Sequence, residues 1–154
     1  MIGYYASPIG TLLIEEENGS VLRIERISET APQTEENDTL RDVKQELKRY
    51  FAGESKSLLF AIAPEGTDFQ KRIWAELQNI PYGQTASYKN IAERACGSAR
   101  YARAVASAAH RNPILLAIPC HRMIAADGSI GGFAAGNDAQ KTLLALEQET
   151  ENRK

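Results

Sequence analysis

The sequence predicts an α+β fold, with a small N-terminal part that contains β-strands and a mainly helical C-terminal part. In the N-terminal part, apolar residues over positions 11–14 and 21–24 flank Asn18-Gly19, a dipeptide typical of β-hairpin turns. In the C-terminal part, apolar residues recur at helical spacing behind polar residues that favour helix starts. Pro64-Glu65-Gly66 separates the two patterns, so we expect one domain over residues 1–66 and a second over residues 67–154.

One helix is expected in the N-terminal part, after an acidic loop over residues 29–38. Asp38 is suited to cap its first turn, and Gly53 is suited to end it. The apolar residues of this helix share one face and comprise Leu40, Val43, Leu47 and Phe51. Residues 58–62 are apolar enough to form a further strand.

The C-terminal part opens with Thr67-x-x-Gln70, a capping box that starts a helix with one apolar face. That face comprises Phe69, Ile73, Trp74, Leu77 and Ile80. Ser87 is placed to cap a second helix, which Gly97 ends, and a third helix is expected over residues 99–110.

Two further signals lie near the C-terminus. Asp127-Gly128 predicts a second hairpin turn. Asn137-x-x-Gln140 predicts the cap of a final helix, whose apolar residues comprise Leu143, Leu144 and Leu146.

The second and third helices of the C-terminal part are joined by a Gly-Ser turn, which suggests a helix-turn-helix motif. Alanines leave a shallow surface on the third helix, at Ala99, Ala102, Ala106 and Ala109. Arg100 and Arg103 lie three residues apart and therefore share one side of that helix. A groove of DNA could approach this surface closely, although many helical hairpins that bind no DNA show the same pattern.

Charge is distributed unevenly along the chain, whose formal net charge is −2. Residues 1–68 hold 7 basic and 13 acidic side chains, whereas residues 85–141 hold 7 basic and 3 acidic ones. The C-terminal part therefore suits a phosphate backbone, with an affinity that falls as salt rises. A basic patch that is only a solvated face is the alternative.

Composition excludes several classes of protein. Of the 154 residues, 43% are hydrophobic and 25% are charged, which are ordinary values for a globular protein. No segment has the pattern of a signal peptide or a membrane span, so we expect a cytoplasmic protein. Cys96 and Cys120 are too few for a disulfide framework, and residues 1–68 contain no cysteine or histidine for a zinc site. The loop over residues 131–136 lacks the spacing of a nucleotide-binding glycine loop.

The most informative residues are Ile118-Pro119-Cys120-His121-Arg122, which end an apolar run over positions 114–118. A thiol attacks as its thiolate, and an adjacent imidazole can take the proton or stabilise the resulting charge. For an isolated Cys-His pair, a half-buried structural cysteine is the commoner case. A Cys-His hydrolase is a further alternative, which would need an oxyanion hole and would turn over repeatedly.

Pro119-Cys120-His121-Arg122 resembles the reactive motif of the O6-alkylguanine-DNA alkyltransferase family. The other matching pieces follow the order of the family and comprise Ser87-Tyr88, Ala102-Arg103-Ala104-Val105, Asn112-Pro113 and Lys141-x-Leu143-Leu144-x-x-Glu147. The resemblance spans residues 69–147, and Ser7-Pro8-Ile9-Gly10 extends it more weakly to the N-terminus. It implies a ribonuclease-H-like N-terminal α/β domain and a winged-helix-like C-terminal domain.

The resemblance also implies a reaction, in which Cys120 irreversibly takes the alkyl group of O6-alkylguanine, or of O4-alkylthymine, once per molecule. His121 would act as the base through a turn or a bridging water, and Glu147 would orient it. Asn112 would hold the active-site turn, and Tyr88 would donate a proton or hydrogen bond to N3 of the departing guanine. By sequence alone, Glu147 is more often a surface carboxylate and Tyr88 a core aromatic.

The implied partner is double-stranded DNA that contains O6-alkylguanine, bound in its minor groove by a monomer, and no cofactor or metal is expected. Arg103 would fill the space left in the base stack by a flipped nucleotide. The other expected DNA contacts are Ser87, Lys89, Arg100, Ala102, Arg111 and Arg122. The expected base pocket comprises Met123, Gly131, Phe133, Ala134 and Ala135. A non-catalytic module that only recognises damage is the alternative, although related modules of that kind lack the cysteine.

Overall fold

The structure is a computed structural model that describes residues 1–125, 127–128, 133 and 135–152. Its N-terminal part contains a three-stranded antiparallel sheet in the order β1 (Ile2–Ser7), β2 (Gly10–Glu17) and β3 (Ser20–Ile27). The predicted hairpin is confirmed, because Asn18 and Gly19 join β2 to β3 with φ angles of 53° and 85°. Sequence reasoning missed β1, which carries no regular apolar alternation and is stabilised by its pairing with β2.

Helix α1 (Asp38–Phe51) packs on this sheet, with differences from the predicted helix at both ends. Asn37 caps it, since its side chain accepts a hydrogen bond from the Leu40 N–H at 2.9 Å, so the predicted cap at Asp38 was wrong by one residue. Asp38 instead lies in the first turn, where its negative charge interacts favourably with the positive end of the helix dipole. In the last turn Tyr50 is buried, whereas Phe51 is only partly buried.

The strand predicted over residues 58–62 does not form. The segment contributes only an isolated parallel bridge, between Val21 and Ile62. The edge of β3 is shared between two short segments, because Ile24 makes a second parallel bridge to Ile114 of the C-terminal part. In the parallel register set by Val21 and Ile62, residues 58–61 lie opposite residues 17–20 and so run past the start of β3, which prevents a full strand. The bridge to Ile114 attaches the sheet to the apolar run that leads to Cys120.

The first two helices of the C-terminal part begin where the sequence predicts, but the first ends at Leu77, so Ile80, which was assigned to its apolar face, is buried beyond its end. Helix α2 (Asp68–Leu77) starts with the capping box of Thr67 and Gln70, and helix α3 (Tyr88–Cys96) starts with Ser87, whose hydroxyl accepts from the third residue of the helix. Gly97 ends α3 in the left-handed conformation, with φ of 79°. Trp74 of α2 lies in the core, and its indole N–H donates to the Ala108 carbonyl, in the helix that follows α3, at 2.9 Å.

The predicted third helix has two parts. A 3₁₀ turn, Ala99–Tyr101, precedes α4 (Ala102–His110), because Ser98 caps Arg100 and tightens the first turn. Helices α3 and α4 pack against each other and against α2, as expected for a helix-turn-helix motif.

Two short strands, β4 (Ala86–Ser87) and β5 (Met123–Ile124), pair in parallel. This pairing places the start of α3 beside the segment that follows Cys120. A turn forms at Gly128, whose N–H donates to the Ala125 carbonyl at 2.9 Å, but β5 does not run into a hairpin there within the described part of the chain. The predicted second hairpin is therefore not seen in that part.

The final helix is α5 (Asn137–Asn152). Asn137 is its first residue and not its cap, since the carbonyl of Gly136 already accepts from Gln140 N–H at 3.1 Å. Buried residues of α5 include Leu143 and the polar Gln140 and Glu147, which face the segment around Cys120. None of the described helices is long and apolar enough to span a membrane.

Candidate active site

The thiol of Cys120 lies at the start of a 3₁₀ turn, Cys120–Arg122, and is 4% exposed. The run before it enters from the edge of β3, where Ile24 N–H donates to the Pro113 carbonyl at 2.9 Å and Leu115 N–H donates to the Ile24 carbonyl at 3.0 Å. Leu116 has a φ of 74°, which residues other than glycine rarely adopt. Packing and hydrogen bonds must therefore fix this turn in place.

Asn112 makes several of those hydrogen bonds. Its amide nitrogen donates to the Ile118 carbonyl at 2.7 Å and to the Cys120 sulfur at 3.0 Å, and its oxygen accepts from the Ile114 N–H at 2.9 Å. The side chain therefore spans the loop from its entry to the cysteine. A hydrogen bond donated to sulfur is stronger when the sulfur is ionised, so this contact favours the thiolate.

His121 and Glu147 form a fully buried pair, in which His121 Nε2 lies 2.6 Å from Glu147 Oε2. Burial lowers the pKa of His121, and the opposing effect of Glu147 does not overcome it. We therefore assign a neutral imidazole whose Nε2–H donates to Glu147, which leaves Nδ1 as the basic atom. Nδ1 is buried and has no hydrogen-bond partner within the described residues.

Glu147 is surrounded by donors. Arg122 donates to it through Nε at 2.8 Å and through a terminal nitrogen at 3.1 Å, Gly83 N–H donates at 3.2 Å, and Tyr50 donates its hydroxyl at 2.5 Å. Burial alone would raise the pKa of this carboxyl group. The hydrogen bond of His121, its charge once it is protonated in acid, and the hydrogen bond and charge of Arg122 outweigh burial and lower the pKa to about 2. Glu147 is thus an ionised carboxylate throughout the physiological range.

Arg122 requires a correction, because the sequence placed it among the DNA contacts. It is 8% exposed, and besides the bonds to Glu147 it donates to the Ile80 carbonyl at 2.8 Å. Its guanidinium group also lies over the ring of Tyr82, 5.5 Å from the centroid. The buried carboxylate attracts this cation inward, so Arg122 belongs to the charge balance of the site and is not available to phosphates.

Sequence reasoning missed two side chains of the site. Gln140 is fully buried, and its amide nitrogen donates to the carbonyls of His121 and Met123, both at 3.0 Å. Tyr50 bonds to Glu147 from the other half of the chain. A polar residue on an otherwise apolar helical face was the only signal for Gln140, and the sequence carried no local signal for the role of Tyr50.

Tyr88 is the first residue of α3, directly after the short strand that pairs with β5. It is half-buried, and burial together with the nearby Cys120 raises the pKa of its phenol. Tyr88 is therefore a protonated donor close to the reactive sulfur.

The exposed face of the helix-turn-helix carries an apolar groove of about 280 Å³, which we call the α3–α4 groove. Its lining residues are Tyr88, Lys89, Ala102, Arg103, Ala106 and Ala125. Lys89 and Arg103 are exposed at its rim, and Ser87 lies at the start of α3 beside it. The groove therefore combines a floor of small side chains with two exposed cationic side chains that form no ion pair with the described residues.

The remaining predicted DNA contacts lie away from this groove. Arg100 is exposed but stacks on its neighbour Tyr101, 4.9 Å from the ring centroid, and donates to the hydroxyl of that ring at 2.8 Å. Arg111 follows the end of α4 and lines a separate cavity of about 330 Å³ together with Glu25 and Arg26. The structure thus does not bring Arg111 together with Arg103.

The predicted base pocket is only partly described. Met123 is buried in β5, and Phe133 is buried with its ring edge-on to His121 at a centroid distance of 6.0 Å. The carbonyl of Ala135 accepts a hydrogen bond from Arg26 at 2.7 Å. Gly131 and Ala134 lie outside the described residues. Among the residues that are described, no three His, Cys, Asp or Glu side chains are grouped to bind a metal ion.

Comparison with known proteins identifies the architecture. The family described as 6-O-methylguanine DNA methyltransferase, DNA binding domain, matches residues 68–149, and its ribonuclease-like domain matches residues 1–64. A methylated-DNA--protein-cysteine methyltransferase of Methanosarcina acetivorans is 41% identical over 153 residues, which cover 94% of this chain and 97% of the relative. The constitutive methylated-DNA--protein-cysteine methyltransferase of Bacillus subtilis is 36% identical and covers 93% of each chain.

Solved structures agree with these matches. The crystal structure of the Mycobacterium tuberculosis O6-methylguanine methyltransferase superposes with a TM-score of 0.86 at 34% identity, over 97% of this chain and 94% of that one. The structure of the Mycobacterium tuberculosis protein OGT in complex with DNA superposes with a TM-score of 0.87 at 35% identity, over 96% and 92% of the two chains. The predicted α+β fold and the family resemblance are both confirmed. The chain belongs to the 6-O-methylguanine DNA methyltransferase family.

Proposed function

We propose that this protein repairs alkylated DNA by direct reversal, and that it transfers the alkyl group irreversibly from O6 of guanine, or from O4 of thymine, to Cys120. The observation that carries this proposal is the arrangement behind the thiol. Asn112 contacts the sulfur, His121 follows it with a basic Nδ1 that has no hydrogen-bond partner among the described residues, and ionised Glu147 fixes Nε2. The names of the relatives describe the same chemistry, a methyl transfer from DNA to a protein cysteine.

The first step is deprotonation of the thiol. In the neutral tautomer assigned above, Nδ1 of His121 accepts the proton of Cys120, directly or through a water molecule. Glu147 then stabilises the imidazolium that forms, and the Asn112 amide stabilises the thiolate. Burial of the set excludes competing solvent, which strengthens each of these interactions.

The second step is in-line attack of the sulfur on the alkyl carbon. The S–C bond forms as the C–O6 bond breaks, and the electron pair of that bond stays on the guanine. Tyr88 is the donor that neutralises this charge, at N3 of the base, because its raised pKa keeps the phenol protonated until the base needs the proton. The imidazolium of His121 then returns the thiol proton to the Tyr88 phenolate through water, and the guanine exchanges its N3 proton for the usual one on N1, so the products are a thioether and unmodified guanine.

Access to the base requires that the nucleotide leave the duplex, at a cost of a few kcal/mol that is lowest for damaged pairs. The α3–α4 groove suits this task, because its alanine floor admits a DNA backbone and Arg103 projects freely from its rim. We propose that Arg103 occupies the vacated position in the stack and that Lys89 and Ser87 contact the flanking phosphates. Met123, Phe133 and Ala135, together with Gly131 and Ala134, would line the pocket for the flipped base.

A thioether has no facile leaving group, so each molecule is expected to react once. The test is intact mass spectrometry after incubation with a short duplex that carries one O6-methylguanine, followed by peptide mapping. We expect the gain of one methyl group per protein, located on Cys120, and no gain in the Cys120→Ala variant. Tight lesion binding without any mass change would contradict transfer and indicate a recognition module. Repeated turnover, or hydrolysis of thioesters instead, would indicate a Cys-His hydrolase.

We propose further that the protein acts as a monomer in the cytoplasm on double-stranded DNA. In support, a single chain supplies the nucleophile, the base, the orienting carboxylate and the α3–α4 groove. The division into a domain over residues 1–66 and one over residues 67–154 stays a prediction. Sedimentation of the free protein and of its complex with a lesion duplex would measure the stoichiometry.

A further inference from the structure

Tyr50 connects the N-terminal part of the chain to the reactive centre. It lies in the last turn of α1, is 2% exposed, and donates its hydroxyl to Glu147 Oε2 at 2.5 Å across 97 positions of sequence. We propose that Tyr50 is a positioning residue of the transfer reaction, which fixes Glu147 and sets how strongly this carboxylate attracts the proton of His121. The proposal rests on the function proposed above.

The packing around Tyr50 determines the direction of its hydroxyl. The ring lies edge-on to Phe51 at a centroid distance of 5.3 Å and edge-on to Tyr82 at 6.0 Å. The rest of the buried face of α1 packs into the core. Burial, and secondly the negative charge of Glu147, raises the pKa of Tyr50 well above its usual value. Tyr50 is therefore always a donor and never a competing anion.

The chemical effect follows from the sharing of one oxygen atom. Glu147 Oε2 accepts from Tyr50, from His121 Nε2 at 2.6 Å and from Arg122 at 3.1 Å. Each donor withdraws negative charge from the oxygen and so weakens the other hydrogen bonds that it accepts. Without the Tyr50 hydroxyl, Oε2 would bind the His121 proton more tightly and would favour the imidazolium. Tyr50 thus helps to keep His121 neutral, the form that can accept a proton from Cys120.

The other charged and titratable groups nearby do not replace this contact. Arg122 also bonds to Oε1 at 2.8 Å, and Tyr82 lies beneath its guanidinium group. Lys56 and Glu151 pair with each other at 2.7 Å. The Tyr82 hydroxyl makes no hydrogen bond to Glu147 within the described part of the chain. Tyr82→Phe is therefore the matched control, because it removes a phenolic hydroxyl from the same cluster without touching Glu147.

The experiment measures the rate of Cys120 alkylation by free O6-benzylguanine as a function of pH, in the wild type, Tyr50→Phe and Tyr82→Phe. The free base avoids any effect on DNA binding. Because the neutral imidazole is the active form, the rate should rise with pH as His121 loses its proton. We expect the midpoint of this rise in rate to move to higher pH in Tyr50→Phe by roughly half a pKa unit or more, since one of several hydrogen bonds to a charged group is lost. It should not move in Tyr82→Phe.

Nitrogen-15 NMR of the imidazole rings gives an independent reading. The chain has two histidines, so substitution of His110 assigns the signal of His121 directly. Its titration should move upward in Tyr50→Phe, and downward when a fluorinated tyrosine, a stronger donor, occupies position 50. If neither the pH dependence of the alkylation rate nor the NMR titration of His121 changes in Tyr50→Phe, the proposal is overturned and Tyr50 is only a packing residue. Wild-type protein that O6-benzylguanine does not alkylate would contradict the proposed function, while the NMR titration would still decide the role of Tyr50.

Discussion

Replacement of Glu147 by glutamine tests the electrostatics of the site most directly. The substitution keeps the size of the side chain but removes a buried negative charge. That charge accepts hydrogen bonds from His121 and Arg122. Burial raises the pKa of Glu147, but its hydrogen-bond donors lower it by more, and the net result is a change from 4.5 to about 2. Folding therefore favours the ionised form of Glu147 by on the order of 3 kcal/mol. We expect Glu147→Gln to lower the free energy of unfolding at neutral pH by about this amount, since Arg122 is left buried and unpaired.

The pH dependence of this loss has a definite sign. A carboxyl group whose pKa is lower in the folded state stabilises the fold at pH values above its unfolded pKa. That stabilisation disappears as the pH falls from 4.5 towards about 2, where Glu147 itself becomes protonated. The difference in stability between wild type and Glu147→Gln should therefore be constant near neutrality and should close in acid. Glu147 also raises the pKa of His121, so the wild type gains stability relative to the variant where His121 becomes protonated, before protonation of Glu147 closes the difference.

The assay is urea unfolding followed by the fluorescence of Trp74, the single tryptophan, which is 2% exposed. Linear extrapolation gives the free energy of unfolding at each pH, and equal slopes against urea show that both proteins unfold in the same way. Glu149→Gln is the matched control, because Glu149 lies on the same helix but is exposed. A stability difference that is absent, or that stays the same from neutral to acid pH, would refute the assignment of Glu147 as a buried anion.

Three further predictions concern DNA binding, the active-site turn and the N-terminal helix. Arg103→Ala should slow repair of duplex DNA far more than reaction with free O6-benzylguanine. Arg100→Ala should have a smaller effect on repair, because the Arg100 side chain stacks on Tyr101. Equal slowing of both reactions by Arg103→Ala would exclude the stack-filling role. Asn112→Ala should slow alkylation by the free base by about 10-fold or more, because a hydrogen bond to the ionised sulfur is lost, and an unchanged rate constant would show that this contact is unimportant. Asn37→Ala should destabilise the protein by about 1 kcal/mol in urea unfolding, and Asp38→Ala by less, because Asn37 is the cap; the reverse order would contradict the cap assignment.

Local sequence signals predicted much of this molecule because their causes are local. The hairpin at Asn18-Gly19, the capping box at Thr67 and the cap at Ser87 depend on residues within a few positions of one another. The Cys120-His121 pair is likewise visible in a single pentapeptide. Pairing of His121 with Glu147 followed from the family spacing, not from the chemistry of the residues, since a glutamate on a helix is usually exposed.

The errors arose where a partner lies far away in sequence. Arg122 was assigned to DNA because an arginine beside a reactive motif suits phosphates, and nothing local indicates a buried carboxylate on α5. Tyr50 and Gln140 were missed for the same reason, because their partners lie 97 and 19 positions away. The strand expected over residues 58–62 failed because only its last residue, Ile62, forms a bridge to β3, and the register of that bridge sets residues 58–61 opposite residues 17–20, at the turn where β3 begins.

Among the contacts that join the N-terminal part of the chain to the C-terminal part in the described residues, three show how unequal their strengths are. Arg26 of β3 pairs with Asp138 at 3.0 Å, but that carboxylate is exposed, and exposed pairs contribute little. The backbone pairing of Ile24 fixes the path of the run that ends at Cys120, and its hydrogen bonds are buried and regular. The Tyr50 hydroxyl reaches the carboxylate that orients the base. Under the role proposed for Tyr50, the same small sheet and helix set the path of the chain to Cys120 and the basicity of His121, so a change in this half is expected to alter alkylation of the free base as well as of DNA.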